Sequence, residues 1–273
     1  MSKKLTAVRQ LMSQYNLDYY YIPSRDAHNN EYLPAKWQRR AWVSDFTGSA
    51  GDALVGNNEA YLWTDARYFL QAEEQLDGEY FQLMKQRQGV APIDQWLLEN
   101  AQRKTLGVDP RVMSINQAKK WQTALDTVDG KLVALDDNLV DLAWTDRPNN
   151  DKHPVMVLAE QYAGLSTQEK LKQLRNAMQQ LHADTHVITM LDAIAWLFNI
   201  RGQDVAFNPL VISYAIVTQE EAVLFVNDDK ITAEDKKYFS EQNIQLKSYE
   251  QIQAALQACQ GSVLLEPTTA SWW

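Results

Sequence analysis

Apolar side chains recur at Leu5, Val8, Leu11, Met12 and Tyr15, with Arg9, Gln10 and Gln14 between them. That spacing predicts an amphipathic helix over 4–15. A short aromatic strand follows over 18–22, then a polar loop or helix start over 24–30. Residues 53–55 and 61–63 read as two strands about Gly56-Asn57-Asn58-Glu59, a segment suited to a hairpin. Helical spacing returns over 66–76 through Phe69, Leu70 and Leu76. Next come a strand over 106–108 stopped by Asp109-Pro110, a helix over 114–125 and a strand over 132–135. Alternation of this kind predicts an α/β domain on a mixed sheet.

The pattern breaks at Arg147-Pro-Asn-Asn-Asp-Lys-His-Pro154, which has two prolines and no periodicity. It reads as a linker, giving domains over 1–147 and 155–273 with 148–154 between them. A helix over 166–182 carries Leu171, Leu174, Met178 and Leu181 on one stripe, and a strand over 186–190 leads into Leu191-Asp192-Ala193. A second hairpin pairs 214–217 with 222–226. Each half therefore runs helix, strand, Asp-Ala pair (Asp26-Ala27, Asp192-Ala193), hairpin, then an Asp after the second hairpin strand (Asp65, Asp228). The Asp-to-Asp separations are about forty residues, too long for a solenoid repeat, and read as two copies of one domain.

Composition narrows the function classes. The 273 residues carry a net charge of -9, and one cysteine, four histidines and nine tryptophans. The acidic balance argues against nucleic acid or an anionic membrane as the main partner. No stretch approaches the about 18–20 apolar residues of a membrane span. The basic start Met-Ser-Lys-Lys leads into a helix with a polar face, so it reads as a mature N-terminus and not as a secretory signal. Cys259 alone rules out a disulfide framework or a thiolate zinc site, and a cytoplasmic setting is expected.

Few residues offer chemistry of their own. His182-Ala-Asp-Thr-His186 has ligand-like spacing but falls where a helix gives way to a strand. Gly48-Ser-Ala-Gly51 matches no phosphate-binding pattern and reads as a tight turn before the hairpin. Ser49 lacks a basic partner, Asp136-Asp137 and Asp228-Asp229 read as solvated turns, and Cys259 as a structural thiol. The aromatic set Tyr19, Tyr20, Tyr21, Trp37, Trp42, Trp63, Tyr68 and Phe69 reads first as core, with a peptide-cleft rim as the alternative. Trp272-Trp273 at the end of the chain want a surface to bury against, as at a chain cut at a domain edge. Arg67 is the exception. Thr64-Asp65 forms a good N-cap, so Arg67 falls in the first turn of a helix, where a cation opposes the macrodipole. Either it is a surface arginine paired with Asp65 or Glu31, or something other than helix stability placed it there.

Several stretches in order resemble the long, three-domain form of the aminopeptidase P (Xaa-Pro aminopeptidase) family of creatinase/prolidase-like metallopeptidases. They are Ile22-Pro-Ser-Arg-Asp-Ala-His28 with Glu31-Tyr32, Arg39-Arg-Ala-Trp-Val-Ser44, Phe46-Thr-Gly-Ser-Ala-Gly51 and Leu62-Trp-Thr-Asp-Ala-Arg-Tyr-Phe-Leu-Gln71. Gly107-Val-Asp-Pro110, Asn138-Leu-Val-Asp141, Trp144-Thr-Asp-Arg-Pro148, Leu191-Asp-Ala-Ile-Ala-Trp-Leu-Phe-Asn-Ile-Arg-Gly202, Asn208-Pro209 and Ser213-Tyr-Ala215 continue the series. Ala66 departs from the glycine of the family's Trp-Thr-Asp-Gly-Arg-Tyr pattern, which a helix start tolerates.

The resemblance implies two tandem creatinase N-terminal-like domains, each a mixed β-sheet flanked by helices, and a pita-bread catalytic domain downstream that this chain lacks. It implies two divalent metal ions, often manganese, held in that missing domain by two Asp, one His and two Glu, and none in this chain. Those ions activate a bridging water that attacks the bond before proline, with histidines assisting. The expected partners are peptides with proline second, and a homodimer in the intact enzyme. Arg67 matches the family position that reaches across to the peptide, which makes it the expected substrate-binding residue. A chain that walls the cleft and is inactive alone is the leading expectation. The alternative is a creatinase-like pseudoenzyme module for protein binding, and a stand-alone small-molecule enzyme has no catalytic cluster to support it.

Overall fold

The computed structural model describes residues 2–87, 89–149 and 153–273. The chain divides into two compact units, Met1–Asn149 with Ser271–Trp273, and Asn150–Ala270. Residues 150–152 of the expected linker lie outside the described residues.

The first unit contains α1 (Lys3–Gln14), β1 (Tyr19–Pro23), α2 (Arg39–Ser44), β2 (Asp52–Gly56), β3 (Ala60–Thr64), α3 (Phe69–Gln75), β4 (Gln82–Lys85), α4 (Ile93–Asn100), β5 (Thr105–Val108), α5 (Ile115–Asp126), β6 (Lys131–Ala134) and α6 (Leu139–Ala143). Its six-stranded sheet runs β4-β3-β2-β1-β5-β6. β2 is antiparallel to both neighbours, and the other pairings are parallel. All five residues of β1 are buried, because alternate side chains enter different cores. Tyr20 and Ile22 join Leu5, Val8 and Met12 of α1 and Leu139 and Val140 of α6. Tyr19 and Tyr21 join Trp96 of α4 and Trp121 of α5, with ring centroids 5.4 and 4.7 Å apart in edge-on contacts. Helices thus cover both faces of the central strands.

The second unit contains β7 (Met156–Val157), α7 (Glu160–Ala163), α8 (Thr167–Gln180), β8 (Thr185–Ile188), α9 (Leu191–Leu197), β9 (Ile200–Arg201), β10 (Ser213–Thr218), β11 (Ala222–Val226), α10 (Ala233–Glu241), β12 (Ile244–Lys247), α11 (Ile252–Ala258) and β13 (Val263–Leu264). Its main sheet runs β12-β11-β10-β8-β13, and β7 pairs with β9 in a separate ribbon. β10 is antiparallel to β8 and β11, while β12 and β13 pair in parallel. With β8, β10, β11, β12 and β13 matched to β1, β2, β3, β4 and β5, the two sheets have the same order and the same single reversed strand. The repeat seen along the chain is therefore a repeat of topology.

The Asp match is offset by one residue. β11 ends at Val226, and Asn227 precedes the 3-10 turn Asp228–Lys230 at the position that Asp65 holds before the 3-10 turn Ala66–Tyr68, though only Asp65 caps its turn through its side chain. Asp65 therefore corresponds to Asn227. Elements that the sequence pattern did not show include α2, β4, α4, α6, β7, α7, β9, α10, β12 and β13, most of them too short for a sustained period. β4 (Gln-Leu-Met-Lys) and β12 (Ile-Gln-Leu-Lys) are edge strands, for which two apolar residues suffice. No helix among the described residues is long and apolar enough to cross a membrane.

The second unit buries an ion pair. Lys230 Nζ lies 2.5 Å from Asp204 Oδ2, and the side chains are only 2% and 3% exposed. Ile212 N also donates to Asp204 Oδ2, at 2.7 Å. Removing the carboxylate strands a buried ammonium, so Asp204→Ala is expected to destabilise this unit by about 3–5 kcal/mol. Hydrogen exchange of the β10 and β11 amides across a urea series measures the change; a loss below about 1 kcal/mol would refute the account.

Candidate functional site

The register of the first sheet sets Pro23 opposite Asp52, Asp52 opposite Trp63, and Thr64 beside Lys85. The carboxyl ends of β1, β3 and β4 therefore meet the start of β2 along one edge, where open α/β sheets admit ligands. A cavity of about 370 Å³ opens there, lined by Ser24, Arg25, Asn29, Asn30, Glu31, Ser49, Ala50, Gly51, Asp52, Thr64, Asp65 and Gln86.

Its walls are loops tied by buried polar groups. The Asp26 carboxylate accepts from His28 N at 2.9 Å, Asn30 N at 3.0 Å and Asn30 Nδ2 at 2.7 Å, closing the loop after β1 into a compact turn. Arg40, on α2, is buried and donates to Ser24 Oγ at 2.7 Å, to Phe46 O at 2.5 Å and to Gly48 O. Its guanidinium also lies 4.6 Å from the Phe46 ring centroid. Burial pulls the Arg40 pKa down to about 10, with the Asp52 charge opposing. Ser24 Oγ donates in turn to Gly51 O at 2.6 Å, and Thr64 Oγ1 donates to Ala50 O at 2.7 Å. Burial also pushes the Asp52 carboxyl above the usual aspartate range, against the pull of Arg25 and a hydrogen bond from Tyr21.

Arg67 is not itself a lining residue but pairs with Asp65, which is, at the edge of the cavity. Asp65 Oδ1 accepts from Arg67 N at 3.0 Å, which caps the turn, and from Arg67 Nε at 2.9 Å; Asp65 Oδ2 accepts from Nη2 at 2.8 Å. The Arg67 side chain is 62% exposed, and its guanidinium lies 5.3 Å from the Tyr68 ring centroid. The hydrogen bonds that Arg67 donates to Asp65 raise the Arg67 pKa above its ordinary value and lower that of Asp65. Tyr68 is fixed from behind, its hydroxyl 2.8 Å from Ser49 Oγ. In the second unit the residue at the Arg67 position is Asp229, exposed on its turn. The fold therefore does not itself demand a cation there.

The remaining candidates do not converge. Ser49 contacts Tyr68, and Ser49, Ala50 and Gly51 form cavity wall. His182 occupies a left-handed turn at φ 52° after α8, while His186 Nδ1 is 3.0 Å from Leu264 O. Among the described residues no group of three or more His, Cys, Asp or Glu side chains could hold a metal ion. Asp136, Asp137, Asp228 and Asp229 are exposed. Cys259 Sγ donates to Ala255 O at 3.3 Å. Tyr19, Tyr20, Tyr21, Trp37 and Trp63 are buried, while Trp42, Tyr68 and Phe69 are half-buried. Trp272 packs on the α4–α5 core, its N–H donating to Met113 O at 2.8 Å. The Arg111 guanidinium lies 5.4 Å from the Trp273 ring centroid. Sequence reasoning missed Ser24, Arg25, Asn29, Asn30, Asp52 and Gln86 as cavity residues. They share one edge of the sheet, in the loop after β1, at the start of β2 and just after β4, and that depends on strand order and was not readable from local pattern.

Two models described as creatinase/prolidase N-terminal domains match residues 4–142 and 146–273. The chain belongs to this family. A probable Xaa-Pro aminopeptidase P of Penicillium rubens is 42% identical over 94% of the chain and 42% of its own length. Aminopeptidase P1 of Lotus japonicus is 42% identical over 91% of the chain and 38% of its own length. The crystal structure of X-prolyl aminopeptidase from Caenorhabditis elegans, described as a cytosolic enzyme with a di-nuclear active site, superposes with a TM-score of 0.93. It is 33% identical and matches 98% of this chain and 47% of its own. The chain thus spans about two fifths of the length of these curated relatives. Two tandem creatinase/prolidase N-terminal domains account for the duplicated sheet.

A Cβ at Gly48 would run into the rings of Phe46 and Tyr68. Gly48→Ala is therefore expected to destabilise the first unit by about 1–3 kcal/mol through overpacking. Urea unfolding read at the β1 and β2 amides by hydrogen exchange tests this, and an unchanged midpoint would count against the Tyr68 packing described.

Proposed function

We propose that this chain is the N-terminal, non-catalytic part of an Xaa-Pro aminopeptidase, which cleaves the bond between an N-terminal residue and a following proline. The observation that carries the proposal is 42% identity to aminopeptidase P proteins across more than nine-tenths of the chain. On this reading residues 1–147 and 155–273 are the two domains, joined by 148–154, and they shape the substrate cleft and contribute to a homodimer. The parent enzyme works in the cytoplasm with two divalent ions, manganese being the expected metal. Such ions, where bound, would supply an activated water as the nucleophile. Among the described residues no group of three or more His, Cys, Asp or Glu fits such a centre, and on this reading its ligands are assigned to the part of the longer relatives outside this chain.

Arg67 is the residue assigned to the substrate. Three features support it: its exposure at the rim of the cavity, its fixed geometry on Asp65, and the acid at the matching position of the second unit. Its part is to donate hydrogen bonds that hold the peptide in place while bond breaking occurs elsewhere.

In the full-length enzyme, Arg67→Ala is expected to lower kcat/KM for an Xaa-Pro peptide by about tenfold or more, with bound metal per subunit unchanged by elemental analysis. An unchanged kcat/KM would remove Arg67 from the site. Residues 1–273 purified alone and supplied with manganese are expected to release no N-terminal residue from the same peptide; sustained release would show that the chain carries its own catalytic groups.

A further inference from the structure

The Asp65–Arg67 pair bears on which atoms of a substrate Arg67 can accept. We infer that Arg67 recognises a neutral acceptor, a backbone carbonyl of the peptide, in preference to a carboxylate, and that Asp65 is the positioning residue that sets this choice. The inference rests on the reading of Arg67 as a substrate contact.

A guanidinium carries five N–H donors in a fixed fork. Asp65 occupies the edge formed by Nε and one hydrogen of Nη2, at 2.9 and 2.8 Å. Among the described residues no hydrogen bond falls on Nη1, so its hydrogens and the second hydrogen of Nη2 remain for a ligand. An isolated guanidinium would favour a carboxylate there, through a bidentate, charge-assisted pair. Here the charge is already met. Asp65 cancels it at hydrogen-bond distance, and Glu31 is close enough to act on the same guanidinium. The immediate surroundings therefore hold two acids against one cation. Across the cavity Arg25 has Asp52 as its own counter-charge. A carboxylate arriving at the open edge meets uncompensated negative charge, whereas a carbonyl takes the same two donors without that repulsion.

The presentation is also rigid. Asp65 is held by its second duty as the cap of the turn, accepting from Arg67 N. The Tyr68 ring beside the guanidinium is pinned through Ser49 and leaves no room for a side chain at Gly48. An arginine immobilised before the peptide arrives loses little further entropy on binding. The predicted preference is for peptides that continue past the contact, or that end in an amide, over free acids ending at it.

The test uses the full-length enzyme with Ala-Pro-Ala and Ala-Pro-Ala-Ala, each as free acid and as C-terminal amide. For the unaltered enzyme, kcat/KM for the amides is expected to equal or exceed that for the acids. Asp65→Asn keeps an oxygen to cap the turn and removes the charge. It is expected to shift the acid-to-amide ratio toward the acid by about threefold or more, and the shift should shrink at high salt. Asp65→Ser, which also retains a capping oxygen, serves as the second variant. A preference of the unaltered enzyme for the free acid by about tenfold would overturn the inference. So would an unchanged ratio in both Asp65 variants while Arg67→Ala slows cleavage. If Arg67→Ala has no effect on cleavage, the substrate-contact reading itself fails, and a changed ratio in the Asp65 variants could not rescue it.

Discussion

The buried guanidinium of Arg40 is the interaction on which the cavity in the first unit depends. Its hydrogen bonds end on Ser24 Oγ and on the backbone oxygens of Phe46 and Gly48, all of them neutral. One side chain on α2 thereby joins the loop after β1 to the loop before β2. Burial opposes the charge, and the donors offset part of that cost by meeting carbonyls that would otherwise lie unsatisfied away from water. Gly48 and Ser49 then support Tyr68, and Tyr68 flanks Arg67. Rim geometry thus follows from a contact well behind it.

Most of the residues that carry the family resemblance serve the fold in the same way. Arg39 donates to both oxygens of Asp141 at 2.6 and 2.8 Å, joining α2 to α6. Asn138 caps α6 through Val140 N and donates to Asp109 Oδ2 at 2.9 Å. Asp26 closes its own loop. The Arg39–Asp141 and Asn138–Asp109 partners are far apart along the chain, so their pairing was invisible in the sequence even though each residue was noticed. Arg67 differs because its partner is two residues away, and the pair with Asp65 was one of the two offered by the sequence reading.

The two units show how one topology carries different polar chemistry. In both, a hairpin inserts one reversed strand into an otherwise parallel arrangement. In the first, the turn after the hairpin presents Arg67 to solvent; in the second, the matching residue is Asp229, and the next residue, Lys230, turns inward to Asp204. The apolar pattern of the strands fixes the sheet, and the polar residues at strand ends vary on it.

The long amphipathic helices α1, α5 and α8, both hairpins and the mixed α/β class were legible along the chain, because helical and strand periods are local properties of the side-chain pattern. Ser114 and Ser166, counted as the first helical residues along the chain, cap α5 and α8, each accepting from a backbone N–H three residues on. Several short elements, among them the edge strands β4, β12 and β13 and the helices α2 and α6, were not legible, since they are held by contacts and not by a period of their own. The cavity was decided by tertiary structure alone: strand order brings Pro23, Asp52, Thr64 and Gln86 to one edge, and no spacing along the chain encodes which strand ends will be neighbours. Sequence determined which residues could cap, pair or bury, and the folded sheet decided which of them would face a common space.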